Sequence, residues 1–554
     1  MALVHINWHS NKSVLQKSRP VTFAAREKTR LMPPLESAAA SSKRVFGTLF
    51  AGYLLFVLYP ILRADRPCND DMARMLSGTY SWNDNGRPLT TRLIRILEGN
   101  LSSLVDIAPL PQILAIALVA FAGMLLARRY AVRSRWLATL LVLPLGAQPF
   151  FLENLSFRFD AVAMGASVLL AVLPVSACRD NLQGFTLGAL ALLACLCSYQ
   201  PSLNVFLIFA LLDLTAAQAR GDEPRRIVRL AAFYLGEALL AMLVYQWKVA
   251  PSIKDWIHEH SEMIHSPLQY RVVVANASDM GAFLLHALAP RWTSVLVSLL
   301  SLTAVAPVAI GLHYALAAPV MRGRPIWVRL PFAFCAILLP FAALACVAGP
   351  MLLLLSPVLS PRVFPGVGAL ICASLVALHL ALRGWRPGWS DVPSFVVASI
   401  WTLAMLSFAS IYGNALSAQK QYEAQIASQL SNDLAELKQK QGVTRFLMDG
   451  SAGLSPLSAH AAKTFPVLNV LVSPYLIGNS FHSRSFMKLF GIGLNEVREE
   501  PANNASADIL LAQACNVPTV YIRNRYILRV VDATAVVTFP GGRPLSCPTG
   551  PAKF

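Results

Sequence analysis

Apolar runs dominate the chain up to about residue 413, and polar or alternating stretches take over after it. A helix that crosses a bilayer needs roughly 20 predominantly apolar residues, and about eleven such runs occur. They cover 45–63, 109–127, 134–151, 160–176, 183–199, 202–217, 229–248, 293–318, 330–349, 364–382 and 393–413. The bilayer core has no water to satisfy bare backbone groups, so each run is expected to be a helix. The stretch 278–290 is apolar too and reads as a re-entrant or interfacial helix. Beyond the last run, 415–441 has the spacing of an amphipathic helix. Val443–Met448 and Val467–Val472 are short runs of strand type, 505–515 reads as helix, and Val520–Val531 alternates like a hairpin about Arg523 and Asn524. The expected architecture is therefore a polytopic α-helical membrane protein of about eleven transmembrane helices, with a small C-terminal α/β domain. Its divisions are a basic tail at 1–44, a membrane part at 45–414 with a first outer loop at 64–108, and a terminal domain at 415–554.

Composition agrees with the pattern. The hydrophobic set makes up 55% of the chain and charged residues 14%, where soluble proteins carry about 25%. A net charge of +18 would point to nucleic acid in a soluble protein. Here the cations sit in the tail and in short loops, so membrane topology explains them better and no nucleic-acid partner is expected. The tail has no early apolar run of the kind a cleaved signal needs, and reads as a retained cytoplasmic extension. Placing it inside puts the clusters Arg128/Arg129/Arg133/Arg135, Arg220/Arg225/Arg226/Arg229, Arg322/Arg324/Arg329 and Arg383/Arg386 on the cytoplasmic side as well. An odd number of spans then carries the terminal domain to the outer, periplasmic face of a bacterial inner membrane. Of the nine cysteines, only Cys515 and Cys547 lie in the polar C-terminal part, where a disulfide fits a location outside the cytoplasm.

The first outer loop holds the densest chemistry. It carries Asp70 and Asp71 close after the first span, then Arg74, Tyr80, Trp82, Asp84 and Arg87. A carboxylate beside fixed arginines at a membrane surface suits a reaction at a lipid phosphate: the acid takes a proton from an attacking hydroxyl, and guanidinium groups hold the phosphate. The plainer reading is a solvated loop in which Asn69 or Asp70 caps a helix starting near Met72. Trp82 and Tyr80 suit stacking on a sugar or, equally, anchoring at the interface. Glu153, Arg158 and Asp160 sit at the outer ends of the third and fourth spans. Ionisable groups at such depth are costly and often functional, although an Arg158–Asp160 or Glu153–Arg158 pair that only orients helices is the alternative. Tyr199 and Gln200 in a proline-bearing outer turn, and the isolated Arg362, are further candidates for binding substrate; a simple turn and a snorkelling cation are their plainer readings. His258, His260 and His265 fall in one loop, but helical geometry separates the first two, and no metal site is expected.

The segment CNDDMARMLSGTYSWNDNGRPLTTRLI resembles the pattern NDD-x-x-R, then G, then W-x-x-x-GRPL, of the bacterial O-antigen serotype-converting glucosyltransferases. Asn69, Asp70, Asp71, Arg74, Gly78, Trp82, Gly86, Arg87, Pro88 and Leu89 carry the match. FLENLSFRFD, SYQPS and SPRVF are similar more weakly, and the long basic tail departs from the pattern. The resemblance implies a class C membrane glycosyltransferase and a polyprenyl-phosphate-linked hexose, typically glucose, as donor. It implies a lipid-linked or nascent O-antigen glycan as acceptor at the periplasmic face, and no cofactor. A polyprenyl-phosphate glucosyl synthase and a flippase would work in the same pathway. On this reading Asp71, or Asp70, is the base of an inverting displacement. Arg74, Trp82, Asp84, Arg87, Glu153, Arg158, Asp160, Tyr199, Gln200 and Arg362 bind substrate. Residue types alone leave open a transporter or flippase of a lipid-linked sugar, another lipid-linked glycan transferase or ligase, and a non-catalytic assembly subunit.

Overall fold

A computed structural model describes residues 35–177, 181–254, 260–288, 291–385, 391–499 and 504–542. All eleven apolar runs lie in helices. Eight of those helices are long and apolar enough to cross a membrane on their own. The expected third span is not straight. Arg135–Ala147 and Pro149–Ser156 meet at a 62° bend, because Pro149 has no N–H to continue the ladder and drives Gln148 out of the helical region. Gln148 is extended, and its side chain caps the new helix by accepting the Phe150 N–H at 2.9 Å. The bend carries Glu153 and Asn154 on a buried helical turn, where an outer loop was expected. The fourth and fifth runs form Ala161–Ser176 and Leu182–Ser198. The first has 16 residues and spans ~24 Å, less than the ~30 Å hydrocarbon thickness.

The last span and the expected amphipathic helix are one continuous element, Asp391–Gln441, of 51 residues. Gly413 does not break it. A Cβ there would lie 2.4 Å from Pro60 Cβ, so the glycine serves close packing against the first span. At 1.5 Å per residue the helix is about 76 Å long, and it links the apolar bundle directly to a terminal sheet. Its lower half buries Ile426, Ala427, Leu430, Leu434 and Leu437 against Phe446, Met448, Leu528 and Val537 of that sheet.

The sheet has strands β1 (Arg445–Asp449), β2 (Asn495–Glu496), β3 (Thr519–Ile522), β4 (Ile527–Val531) and β5 (Thr534–Thr538) in the order β2-β1-β5-β4-β3. β1 runs parallel to β2 and β5, and β3-β4-β5 form an antiparallel meander. The expected hairpin is the β3–β4 pair. Arg523 in its turn makes a two-pronged ion pair with Asp433 (2.9 and 2.6 Å), and Tyr526 donates to the same carboxylate at 2.7 Å, so the hairpin is pinned to the long helix. Val467–Val472 is not a strand: its centre, Leu468–Leu471, is a short helix. A brief apolar run cannot be told from a buried helical turn by periodicity alone. Val467, Leu468, Leu471 and Val472 pack into the same apolar core as the membrane helices, so this end of the chain is seated on the bundle. Cys515 is disulfide-bonded. Cys547, Arg386, His258 and most of the basic tail lie outside the described residues.

Candidate active site

The segment after the first span folds through a series of left-handed turns. The helix ends at Ala64 with Asp65 at φ 47°, Asn69 follows at φ 43°, and the short helix Asp71–Ser77 stops at Gly78, φ 65°. Asn tolerates this region and glycine occupies it freely. Gly86 is required twice over: its φ is 68°, and a Cβ would lie 2.3 Å from the Tyr245 hydroxyl, which donates to the Gly86 carbonyl at 3.0 Å. Arg87 and Pro88 then open the helix Pro88–Glu98.

The two adjacent carboxylates have opposite surroundings. Asp71 is fully buried. Its Oδ2 accepts the Arg158 N–H at 2.8 Å and the Cys68 N–H at 3.2 Å, and its buried Oδ1 has no hydrogen-bond partner among the described residues. Burial pushes its pKa up to about 8; the Arg158 N–H opposes the shift and the nearby Asp160 charge adds to it. Asp70 leaves 45% of its side chain exposed. No hydrogen bond to its carboxylate is formed among the described residues, and the nearest ionisable partner is His482, Nδ1 to Oδ1 3.9 Å. Asp70 stands at the helix N-terminus without capping it through its side chain, so the capping reading does not hold. Asp71, favoured from the sequence as the base, is the enclosed member of the pair, and Asp70 is the open one.

Asp160 gathers the residues of the motif. It accepts from Arg74 Nη1 and from Trp82 Nε1, both at 2.8 Å, with Arg87 Nη1 at 3.9 Å. The Arg74 guanidinium lies 4.7 Å from the Trp82 ring centroid. Trp82 is fully buried, so it is a wall and not an open platform for a sugar: its indole N–H needs an acceptor when buried, and Asp160 supplies one. The Tyr80 hydroxyl is committed to Glu98 at 2.6 Å. Glu153 accepts from Ser360 and from the Arg362 N–H (2.7 Å), and pairs with the Arg362 guanidinium at 3.1 Å. Arg362 in turn accepts at its carbonyl from Tyr199 (2.9 Å) and Asn154 (3.3 Å).

Arg158 pairs with neither Asp160 nor Glu153. Its guanidinium binds Asp106 at 2.6 Å and also Asp65, while its peptide N–H serves Asp71. Two carboxylates thus occupy the group expected to bind substrate. Asp84 is tied to Lys254 at 2.9 Å, which fastens the first loop to 249–254. His260 Nδ1 contacts the Ser356 carbonyl at 2.9 Å. Among the described residues no cluster of His, Cys, Asp and Glu is placed to hold a metal ion.

Arg87, Gln200 and Arg362 border a cavity of about 350 Å³. Arg87 Nε donates to Gln200 Oε1 at 3.0 Å and its guanidinium lies 4.7 Å from the Tyr199 ring centroid; Gln200 Nε2 donates to Tyr245 at 2.8 Å. Asn204, Gln246 and His260 add polar groups, and most of the remaining wall is apolar, with Leu196, Met242, Met351 and Leu354 among it. The structure thus brings the polar residues of four distant segments to one end of the helices. Sequence reasoning missed Tyr245, Asp65 and Asp106, and also Arg66, Glu423, Tyr475 and His482, which join the site to the terminal part of the chain.

The fold and the site define a multi-pass membrane protein whose acidic and guanidinium groups converge beside an amphiphilic cavity. The chain belongs to the family described as Glucosyl transferase GtrII, whose family model matches residues 59–386. A protein of Salmonella phage P22, described as an uncharacterized 55.3 kDa protein in the gtrB 5′ region, is 23% identical over 454 residues, covering 80% of this chain and 89% of that one. No solved structure matches. The matched region contains every candidate site residue named from the sequence and ends before Glu423, Tyr475 and His482.

Proposed function

We propose that the protein transfers a hexose, glucose by its family, from a polyprenyl-phosphate carrier to a hydroxyl of O-antigen or a related surface glycan. The placement of its P22 relative beside gtrB and the resemblance of its first loop support this acceptor class. The proposed setting is the periplasmic face of a bacterial inner membrane, with the N-terminus inside, about eleven passes and a class C fold. The observation that carries the reading is a cavity bordered by two guanidinium groups and otherwise largely apolar, with an uncommitted carboxylate at Asp70. A lipid phosphate needs that combination: cations for the phosphate and apolar walls for the first isoprene units.

In the reaction, the acceptor hydroxyl oxygen attacks C1 of the hexose while Asp70 takes its proton. The bond from C1 to the phosphate oxygen breaks, and its electron pair leaves with polyprenyl phosphate. Arg87 and Arg362 balance the charge that develops there. A single displacement inverts C1. Asp70 takes the role of base because Asp71 is enclosed and retains its proton near neutral pH. Asp71 fastens the turn to Arg158, and Asp160 and Glu153 hold the arginines. The bilayer supplies the donor, and a polyprenyl-phosphate glucosyl synthase and a flippase are its proposed partners upstream.

Mass spectrometry of the surface polysaccharide tests this in a deletion strain complemented with wild type or Asp70→Asn. A side-branch hexose restored by wild type alone supports the reading. Loss of the polymer in place of a side branch would make the protein a ligase or polymerase. An unaltered polysaccharide in the deletion strain would remove the proposal.

A further inference from the structure

The turn that carries Asp70 is gripped by the far end of the chain. Arg66 is buried, and its Nη2 donates to Glu423 Oε2 at 2.9 Å and to the Ser473 carbonyl at 2.6 Å. Its guanidinium lies 3.8 Å from the Tyr475 ring centroid. The Tyr475 hydroxyl donates to the Pro67 carbonyl at 2.8 Å and accepts the Asn69 N–H at 3.0 Å. The helix Phe481–Leu489 then packs along Asp71–Ser77 and sets the His482 imidazole against the open carboxylate. His482 Nδ1 is buried and has no hydrogen-bond partner among the described residues, and its nearest anionic atom is Asp70 Oδ1 at 3.9 Å. That gap exceeds a hydrogen bond by about 1 Å. The groups facing the imidazole are Asp70, Arg362 and the Asn69 peptide. Burial lowers its pKa below the ordinary value, Asp70 opposes this, and Arg362 adds to it, which favours the neutral ring.

We infer that His482 is a positioning residue of the transfer site: its Nδ1–H holds one oxygen of Asp70, leaving the other aimed at the acceptor hydroxyl. The inference rests on Asp70 as the proton acceptor of the proposed reaction. In that step the hydroxyl proton goes to the second Asp70 oxygen, and His482 keeps its own proton. The terminal domain then becomes part of the active site, although the family match stops well before it.

The test uses the purified full-length chain in detergent, with short-chain polyprenyl-phosphate glucose as donor and the host strain's lipid-linked O-antigen as acceptor. His482→Ala is expected to lower kcat about 10–100-fold with the donor KM little changed. His482→Asn places an amide N–H near the position of Nδ1 and is expected to recover much of the loss. An Asp70→Asn/His482→Ala double variant is expected to be no slower than Asp70→Asn alone, because the histidine acts only through that carboxylate. Thermal unfolding of each variant separates misfolding from misplacement. Wild-type kcat in both His482 variants, or losses that multiply in the double variant, would overturn the inference while leaving the reading of Asp70 intact. Absence of hexose transfer by wild type would overturn both.

Discussion

Two buried carboxylate–guanidinium clusters sit at opposite ends of the same helices, and they are built differently. At one end Asp213 is fully enclosed. Both of its oxygens are taken by Arg129, at 2.8 and 2.7 Å, and the Tyr234 hydroxyl adds a third bond at 2.9 Å. At the other end Asp160 and Glu153 anchor Arg74, Arg87 and Arg362, but Arg87 and Arg362 also border an open cavity, and the carboxylate of Asp70, near enough to Arg362 to act on its charge, accepts no hydrogen bond among the described residues. A saturated cluster orients helices. An incomplete one leaves hydrogen-bonding capacity for a ligand, and buried polar groups are otherwise nearly always paired. The difference separates the structural use of charge in this fold from its chemical use.

The largest effect is expected where capacity is spare. Asp70→Asn should reduce hexose transfer by about 10²–10⁴ without lowering expression or thermal stability, as read from surface glycan and from unfolding of the purified protein. Asp213→Ala should do the reverse. Leaving the partly buried Arg129 and the Tyr234 hydroxyl without their acceptor costs about 1–3 kcal/mol, seen as a lower unfolding midpoint, while activity per folded molecule persists. Arg87→Gln removes one of the two cations of the cavity, and transfer is expected to fall about 10²-fold in kinetic assays with donor varied.

Asp71 sharpens the contrast through pH. The folded chain keeps its proton up to about pH 8, whereas an unfolded chain releases it near pH 4. Between those values the folded state binds more protons, so this group's contribution to stability is full below about pH 4 and is lost as pH rises towards 8. Asp71→Asn should flatten the fall in unfolding midpoint between these pH values. The smallest effect is expected at Asp84, whose pair with Lys254 is partly exposed. Breaking such a pair costs about 0–1 kcal/mol, and Asp84→Asn should transfer hexose at close to the wild-type rate.

Much of this was legible in the sequence for a physical reason. Apolar runs of bilayer length have few alternatives to helices, and charged or polar residues that interrupt such a pattern at its edges stand out. Asp70, Arg87, Glu153, Asp160, Gln200 and Arg362 were found in that way, and the structure brings them to one end of the bundle. The direction in which each side chain points was not legible. Successive helical residues are turned by about 100°, so Asp70 and Asp71 are adjacent in sequence yet face solvent and core. Trp82 reads as a sugar platform until Asp160, 78 positions away, claims its N–H. The bend at Gln148 was written in Pro149 and needed only the rule that proline restricts its predecessor. His482, Tyr475 and Glu423 carried no local signal, because their role depends on a contact between distant segments that no periodicity records. The uninterrupted helix through Gly413 was hidden for a similar reason: the glycine answers to Pro60 across the interface and not to its own helix.

The most direct test compares Asp70→Asn with Asp71→Asn in one reconstituted assay at pH 7, with polyprenyl-phosphate glucose and acceptor both saturating. The account requires the open carboxylate to be indispensable and the enclosed one to be largely replaceable, with Asp70→Asn at least about 10²-fold slower than Asp71→Asn. Equal rates for the two variants, or the slower rate in Asp71→Asn, would contradict it.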